Sequence, residues 1–192
     1  MKDTVSVYPM VFDKLLEETT NIGFDQLSDP MLGSLLSTLS ATKPGGKFLE
    51  LGTGSGISTA WILQGMDSSS SLTTIDNDKK LVTLAKQHLG EDRRVKFIVG
   101  ESEHLILDAE PNSIDFIFAD AWAGKYSYVN ETLALLKDGG IYLVDDMMPR
   151  ASWPEGHSDK ADHLIQYLES REDCLMTKIS WSSGIIVCVK KA

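Results

Sequence analysis

KFLELGTGSGISTAWI, residues 47–62, is the stretch on which the reading of this chain turns. An apolar run through Phe48, Leu49 and Leu51 stops at Gly52, Gly54 and Gly56, and a helical pattern resumes at Ser58, Ala60 and Ile62. The segment therefore predicts a strand, a tight loop that also holds Thr53, and a helix. Glycines at alternate positions let the backbone take φ > 0 and bring its N–H groups against a ligand at the helix N-terminus, with no Cβ between them. A dinucleotide fingerprint, G-x-G-x-x-G, needs its third glycine where Ile57 stands. Glu50, just inside the strand end, also suits a cofactor that carries an ammonium group better than one that carries a pyrophosphate. A glycine-rich turn without a ligand is the plain alternative.

Upstream, apolar residues at 10, 11, 12, 15 and 16 make a helical face over Met10 to Glu18, which Asn21, Ile22 and Gly23 end. Asp29 offers an N-cap with Pro30 at the first helical position, and Met31, Leu32, Leu35, Leu36 and Leu39 follow at helical spacing. Downstream, Leu72 to Ile75 predicts a strand that ends on Asp76, an acidic residue placed to accept both hydroxyls of a ribose. Asn77 or Asp78 is left to cap the helix Lys79 to His88, closed by Gly90. A strand over Val95 to Val99 ends at Gly100, Glu101 and Ser102, where a glycine and a polar side chain can face an adenine ring.

SIDFIFA, residues 113–119, is a short apolar strand that delivers Asp120 and Trp122. A helix is expected from about Tyr126 to Leu136, and Asp138, Gly139 and Gly140 turn the chain into a strand, Ile141 to Val144, that delivers Asp145 and Asp146. Met147 to His157, with two prolines, a glycine and Trp153, is too long and too apolar for a connector and reads as a substrate-side loop. Ser158 is placed to cap a helix carrying Ala161, Leu164, Ile165 and Leu168, and Cys174 to Trp181 and Ile185 to Val189 predict a closing strand pair around 182–184.

Strands alternating with helices mean a largely parallel sheet covered on both faces, with ligands bound beyond the carboxyl ends of the strands. Glu50, Asp76, Gly100, Asp120 and Asp145 all fall at such ends. The 192 residues, 42% hydrophobic, fit one domain over residues 1–192, in which the helices of 1–44 pack on the sheet and help to form the substrate side. A formal charge of −10 argues against a surface built for nucleic-acid phosphates and favours a small neutral or cationic substrate. No apolar stretch has the length of a signal or membrane segment, and Cys174 and Cys188 lack metal spacing and read as buried free thiols, so a cytoplasmic protein with no membrane partner is expected. A homodimer is left open.

The pattern from Glu50 to Gly56 is similar to the E/D-x-G-x-G-x-G motif of S-adenosylmethionine-dependent methyltransferases of the Rossmann-like class. With P-x-x-G-x-L-L-x-x-L at Pro30 to Leu39, FLELGTGSGIST, VKFIVGESEHL, FIFADAWAGKY and LLKDGGIYLVDD, the chain resembles the catechol and caffeoyl-coenzyme A O-methyltransferase family in its small bacterial form, from about Asp29 to Lys190. The resemblance implies an α/β class I methyltransferase fold, a mostly parallel seven-stranded sheet with a C-terminal antiparallel hairpin and helices on both faces. It implies S-adenosyl-L-methionine as cofactor, with Glu50, Gly52 and Ser58 near its methionine part, Asp76 and Asn77 at the ribose, and Glu101, Ser102 and Trp122 around the adenine. It also implies a divalent cation, Mg²⁺ or Ca²⁺, held by Asp120, Asp145 and Asp146, where the family usually has asparagine at the third position. The two neighbouring strand ends, about 4.8 Å apart, make that grouping physically sensible, and oxygen ligands suit either ion. A second departure falls in the family's Asp-x-x-Lys-x-x-Tyr frame: Asp120 and Tyr126 keep it, Ala123 stands in place of the lysine, and Lys125 lies two positions on.

The function expected is methyl transfer from S-adenosylmethionine to a small hydroxylated, aromatic acceptor, with Asp120, Lys125 and Asp145 at the chemistry. Methylation of a nucleoside in tRNA, a cofactor-binding protein that does not catalyse, and a nicotinamide dehydrogenase are the alternatives. Ala123 and Asp146 keep the second of these open, the acidic composition disfavours the first, and the glycine spacing weakens the third.

Overall fold

The computed structural model describes residues 2–150 and 153–192. Two helices, α1 (Phe12–Asn21) and α2 (Pro30–Ser40), precede an alternation of β1 (Lys47–Leu51), α3 (Ile57–Gly65), β2 (Ser71–Asp76), α4 (Lys79–Leu89), β3 (Val95–Val99), α5 (Ser102–Asp108), β4 (Ile114–Ala119), α6 (Val129–Ala134) and β5 (Leu136–Val144). Helix α7 (His157–Glu169) and the hairpin β6 (Cys174–Ile179) and β7 (Ile185–Lys190) close the chain. The strands form one sheet in the order β3-β2-β1-β4-β5-β7-β6. All pairings from β3 to β5 are parallel, and β7 joins β5 and β6 antiparallel, the mixed sheet expected.

Both faces are covered. Phe48, Phe116, Phe118 and Leu143 pack with Leu15, Leu32, Leu36, Trp61 and Leu84 beneath α1 to α4. Leu49, Leu51, Ile117 and Tyr142 pack with Ile106, Leu133 and Leu164 beneath α5 to α7. Alternate residues of β1 thus serve opposite cores, as a strand's period of two requires. The α2 and α3 axes approach closely because Gly33 has no side chain: a Cβ there would lie 2.3 Å from the indole Nε1 of the fully buried Trp61.

Local signals gave the caps of α2 and α4. Asp29 accepts from Met31 N at 2.8 Å, and Asp78, of the two candidates, accepts from Lys80 N and Leu81 N. Other boundaries differ from expectation. The helix expected from Tyr126 is the six-residue α6, which starts at Val129, because the carbonyl of Trp122 gathers the N–H groups of Lys125, Tyr126 and Ser127 into a tight turn, with Tyr128 left-handed at φ 55°. Helix α5 had no counterpart in the sequence reading. β5 begins at Leu136, with an irregular register around residues 138–140, and Gly156 at φ 78°, not Ser158, precedes α7. Cys188 is buried and Cys174 only half-buried, and both are free thiols. No helix of the described residues is long and apolar enough to cross a membrane.

Candidate functional site

Register sets the site. Glu50 stands opposite Thr74 on β2 and Phe118 on β4, so Gly52 follows beside Asp120, whose N–H donates to Leu51 O at 2.8 Å. A Cβ at Gly52 would lie 2.8 Å from the carbonyl oxygen of Asp120, so only glycine lets the loop leave the sheet here. Its φ of 101°, with 52° and 93° at Gly54 and Gly56, is backbone that L side chains rarely adopt. The loop is pinned to β2: Gly52 N and Thr53 N donate to Ile75 O, and Gly54 N donates to Asp76 Oδ2 at 2.8 Å. Asp76 Oδ1 accepts from Asp78 N at 2.9 Å. Each of its oxygens keeps acceptor capacity for a further donor.

A cleft of about 400 Å³ opens at these strand ends, lined among others by Gly52, Asp76, Asn77, Gly100, Glu101, Ser102, Asp120 and Trp122. That size suits one small organic ligand. Asn77 Nδ2 donates to Glu101 across its rim, and Trp122, 53% exposed, adds an apolar ring over which the Lys160 ammonium lies at 5.5 Å. A larger cavity of about 690 Å³ lies behind Phe24, between α1 and α4, but none of the strand-end residues lines it.

Glu50 does not line the cleft. It is fully buried, and its Oε2 accepts from Thr59 Oγ1 at 2.5 Å and Thr74 Oγ1 at 2.6 Å, while Thr53 and Thr74 share a hydroxyl contact of 2.6 Å. Oε1 has no partner. Burial pushes its carboxyl up to about 7, against the hydroxyls of Ser58, Thr59 and Thr74. Glu50, Thr53 and Ser58 therefore sit beneath the loop as its support. Thr59 and Thr74 were not singled out in the sequence, where a buried threonine carries no signal.

On the far side of Asp120 the register Ala119↔Val144 brings Asp120 and Asp145 side by side. Asp120 keeps surface open to the cleft, so water screens part of the desolvation that raises its carboxyl to about 7. Lys125 opposes that rise and Asp145, Asp146 and Glu50 add to it. Asp145 is buried and accepts from Ser183 Oγ at 2.6 Å, and it too is raised, first by desolvation. Asp146 has left-handed backbone, φ 62°, and turns toward Arg150, whose Nη2 lies 3.2 Å from Oδ1. The cation site expected of Asp120, Asp145 and Asp146 is thus not assembled: Ser183 and Arg150 engage two of the three, and no three acidic, histidine or cysteine side chains among the described residues group as metal ligands.

Lys125 is buried, 4% exposed, with Nζ 5.1 Å from the centre of the Tyr126 ring. Its charge lowers both Asp120 and Asp145. It lies in the turn ahead of α6, three residues before the helix's N-cap Tyr128. From the substrate-side loop, whose residues Ala151 and Ser152 lie outside the described residues, Trp153 stacks on His157 at 4.2 Å. The loop and the β6–β7 turn are joined, Met147 N donating to Gly184 O and Met148 N to Ser183 O.

A sequence family described as a methyltransferase domain matches residues 49–147, just over half of the chain. The chain belongs to this methyltransferase family. Over 133 residues it is 35% identical to a Mycobacterium avium protein that carries a provisional O-methyltransferase name, covering 67% of this chain and 60% of that protein. The match thus spans three fifths of the relative's length. Among solved structures, the O-methyltransferase from Bacillus cereus in complex with SAH superposes with a TM-score of 0.86 at 19% identity, covering 98% of this chain and 94% of that one. The O-methyltransferase TomG from Streptomyces achromogenes, in complex with SAM, gives 0.82 at 20%, covering 95% and 90%. At such identities the likeness establishes the methyltransferase fold.

Proposed function

We propose that the chain is an S-adenosylmethionine-dependent O-methyltransferase acting on a small hydroxylated, aromatic acceptor. The observation that carries the reading is the cleft in which the glycine loop, Asp76 and Trp122 meet at adjoining strand ends, in a chain of methyltransferase fold. Asp76 fits the ribose hydroxyls and Trp122 the adenine face, with Glu101 and Ser102 beside it. The orphaned Oε1 of Glu50 leaves an acceptor beneath the loop, negative above pH 7, that suits the ammonium end of the cofactor. The bound cofactor supplies an activated methyl group. The chain must then hold the acceptor oxygen in line with it and remove a proton. Of the three residues expected at the chemistry, Asp120 lines the cleft, and the charges of the buried Lys125 and Asp145 act on it. A cofactor-binding protein without catalysis is the second reading, favoured by Ala123 in the family lysine's place.

Calorimetry with S-adenosylhomocysteine and NAD tests the reading: micromolar binding of the first and none of the second is expected. Asp76→Ala should weaken S-adenosylhomocysteine tenfold or more, since each hydrogen bond to a charged group contributes about 1.5 to 3 kcal/mol. Unchanged affinity would remove Asp76 from the site, and preference for NAD would overturn the reading. Methyl transfer to a hydroxylated arene separates enzyme from binding protein.

Divalent-cation assistance has no support in the arrangement of the aspartates, and no step is assigned to it. Dialysis against excess EDTA is expected to leave turnover within about twofold, because the removal of one proton by a positioned side chain needs no cation. A loss restored by Mg²⁺ would show that Asp120, Asp145 and Asp146 regroup around an ion.

A further inference from the structure

We propose that Tyr126 and His157 form a proton relay, in which His157, acting through the Tyr126 hydroxyl, receives the proton that the acceptor must lose. The inference rests on the methyl-transfer reading above and adds a route for the proton where the family lysine is missing. Tyr126 Oη and His157 Nε2 lie 3.0 Å apart, joining the turn after β4 to the first residue of α7. The pair is set in aromatic rings: His157 stacks on Trp153, and Trp122, Tyr126 and His157 meet edge to face at 5.1 to 5.7 Å between centres. Tyr126 is half-buried, and the Lys125 ammonium lies over its ring. Trp122, which lines the cleft, packs edge to face on both rings and so sets the pair behind that wall of the cleft.

The two groups are poised in the required protonation states. Burial, then Asp146 and Asp120, hold the Tyr126 hydroxyl far above the usual phenol range, so it keeps its proton, and the relay assigns His157 the tautomer whose Nε2 accepts from it. His157 is held below the usual histidine value, first by desolvation. The charges facing it are Lys125 from the turn after β4 and Lys160 from α7 itself, which favour the neutral ring, and Asp146 from the segment after β5, which opposes them. A neutral imidazole with Nε2 unprotonated is a proton acceptor at neutral pH.

In the step, the acceptor O–H bond breaks and its proton passes to Tyr126 Oη as Tyr126 gives its own to His157 Nε2. The acceptor oxygen's electron pair forms the new O–CH₃ bond, and the C–S bond of the sulfonium breaks with its pair returning to sulfur. The products are the methyl ether, a neutral thioether and an imidazolium at His157, which discharges its proton to water.

The test compares catechol with 4-nitrocatechol, whose more acidic hydroxyl ionises unaided, in the wild type, His157→Gln and Tyr126→Phe. With catechol, both variants should lose about 100-fold in kcat, the contribution of a positioned base. S-adenosylhomocysteine affinity should stay unchanged. The acid limb of the wild-type kcat profile, expected below pH 6.5, should vanish in His157→Gln, and the loss should shrink to less than about tenfold with 4-nitrocatechol. Tyr126→Phe keeps the ring packing, so it reports on the hydroxyl even where His157→Gln loosens the cluster. Equal losses with both phenols and an unaltered pH profile would make the pair a packing device and overturn the relay, as would unchanged turnover in either variant. A wild-type protein that binds S-adenosylhomocysteine yet methylates neither phenol overturns the acceptor reading and the relay together.

Discussion

Lys125→Met is expected to lower turnover about a hundredfold or more while S-adenosylhomocysteine binding stays within about twofold. Lys125 is buried, and its charge acts on Asp120, Asp145 and His157. An acceptor oxygen that gives up its proton beside Asp120 and Asp145 becomes a third negative charge in a confined space, and a fixed ammonium offsets it best where water is scarce. Methionine keeps most of the length and the apolar stem, so the substitution removes the charge with little change in packing. Catalysis by Lys125 predicts the fall in kcat with an intact thermal midpoint. Wild-type kcat in the variant would leave Lys125 as a counter-charge that steadies the carboxylates and nothing more.

Glu50→Gln is expected to make the unliganded protein more stable than the wild type above pH 7 and to erase part of the wild type's pH dependence. In the folded chain Glu50 titrates at about 7, against 4.5 for the free group. Between those values the folded state holds a proton that the unfolded state has released, so stability falls as pH rises from 4.5 to 7 and stays lower above it. The loss is about 3 kcal/mol, an order-of-magnitude figure for a fully buried group. Glutamine still accepts from Thr59 and Thr74 and carries no charge to desolvate. Urea denaturation at pH 5 and pH 8 measures the effect: the gap between variant and wild type should open with pH, and loss of the Glu50 charge, which helps to raise Asp120, widens it in the same direction. A gap that does not change with pH would mean that the Glu50 carboxyl is not held protonated. Above pH 7 the variant should also bind S-adenosylhomocysteine more weakly, since the negative pole beneath the loop is gone.

Much of this molecule could be read from local pattern. The glycine loop, the N-cap at Asp29, the alternation that makes the sheet parallel and the polar residues at strand ends follow from interactions within a few residues, and the sequence determined them. It also brought Asp76, Gly100, Glu101, Asp120 and Trp122 to one end of the sheet, because every parallel strand presents its carboxyl end on the same side. Tertiary structure alone decided which way the side chains face and what they meet. Glu50 turns under the loop to Thr74, Asp145 to Ser183 and Tyr126 to His157, contacts between residues 24, 38 and 31 positions apart. Nothing in the sequence around Lys125 shows its burial, which the turn around the Trp122 carbonyl brings about. Such contacts depend on how the loops after β4 and β5, the start of α7 and the β6–β7 turn pack together, and no residue spacing carries that information.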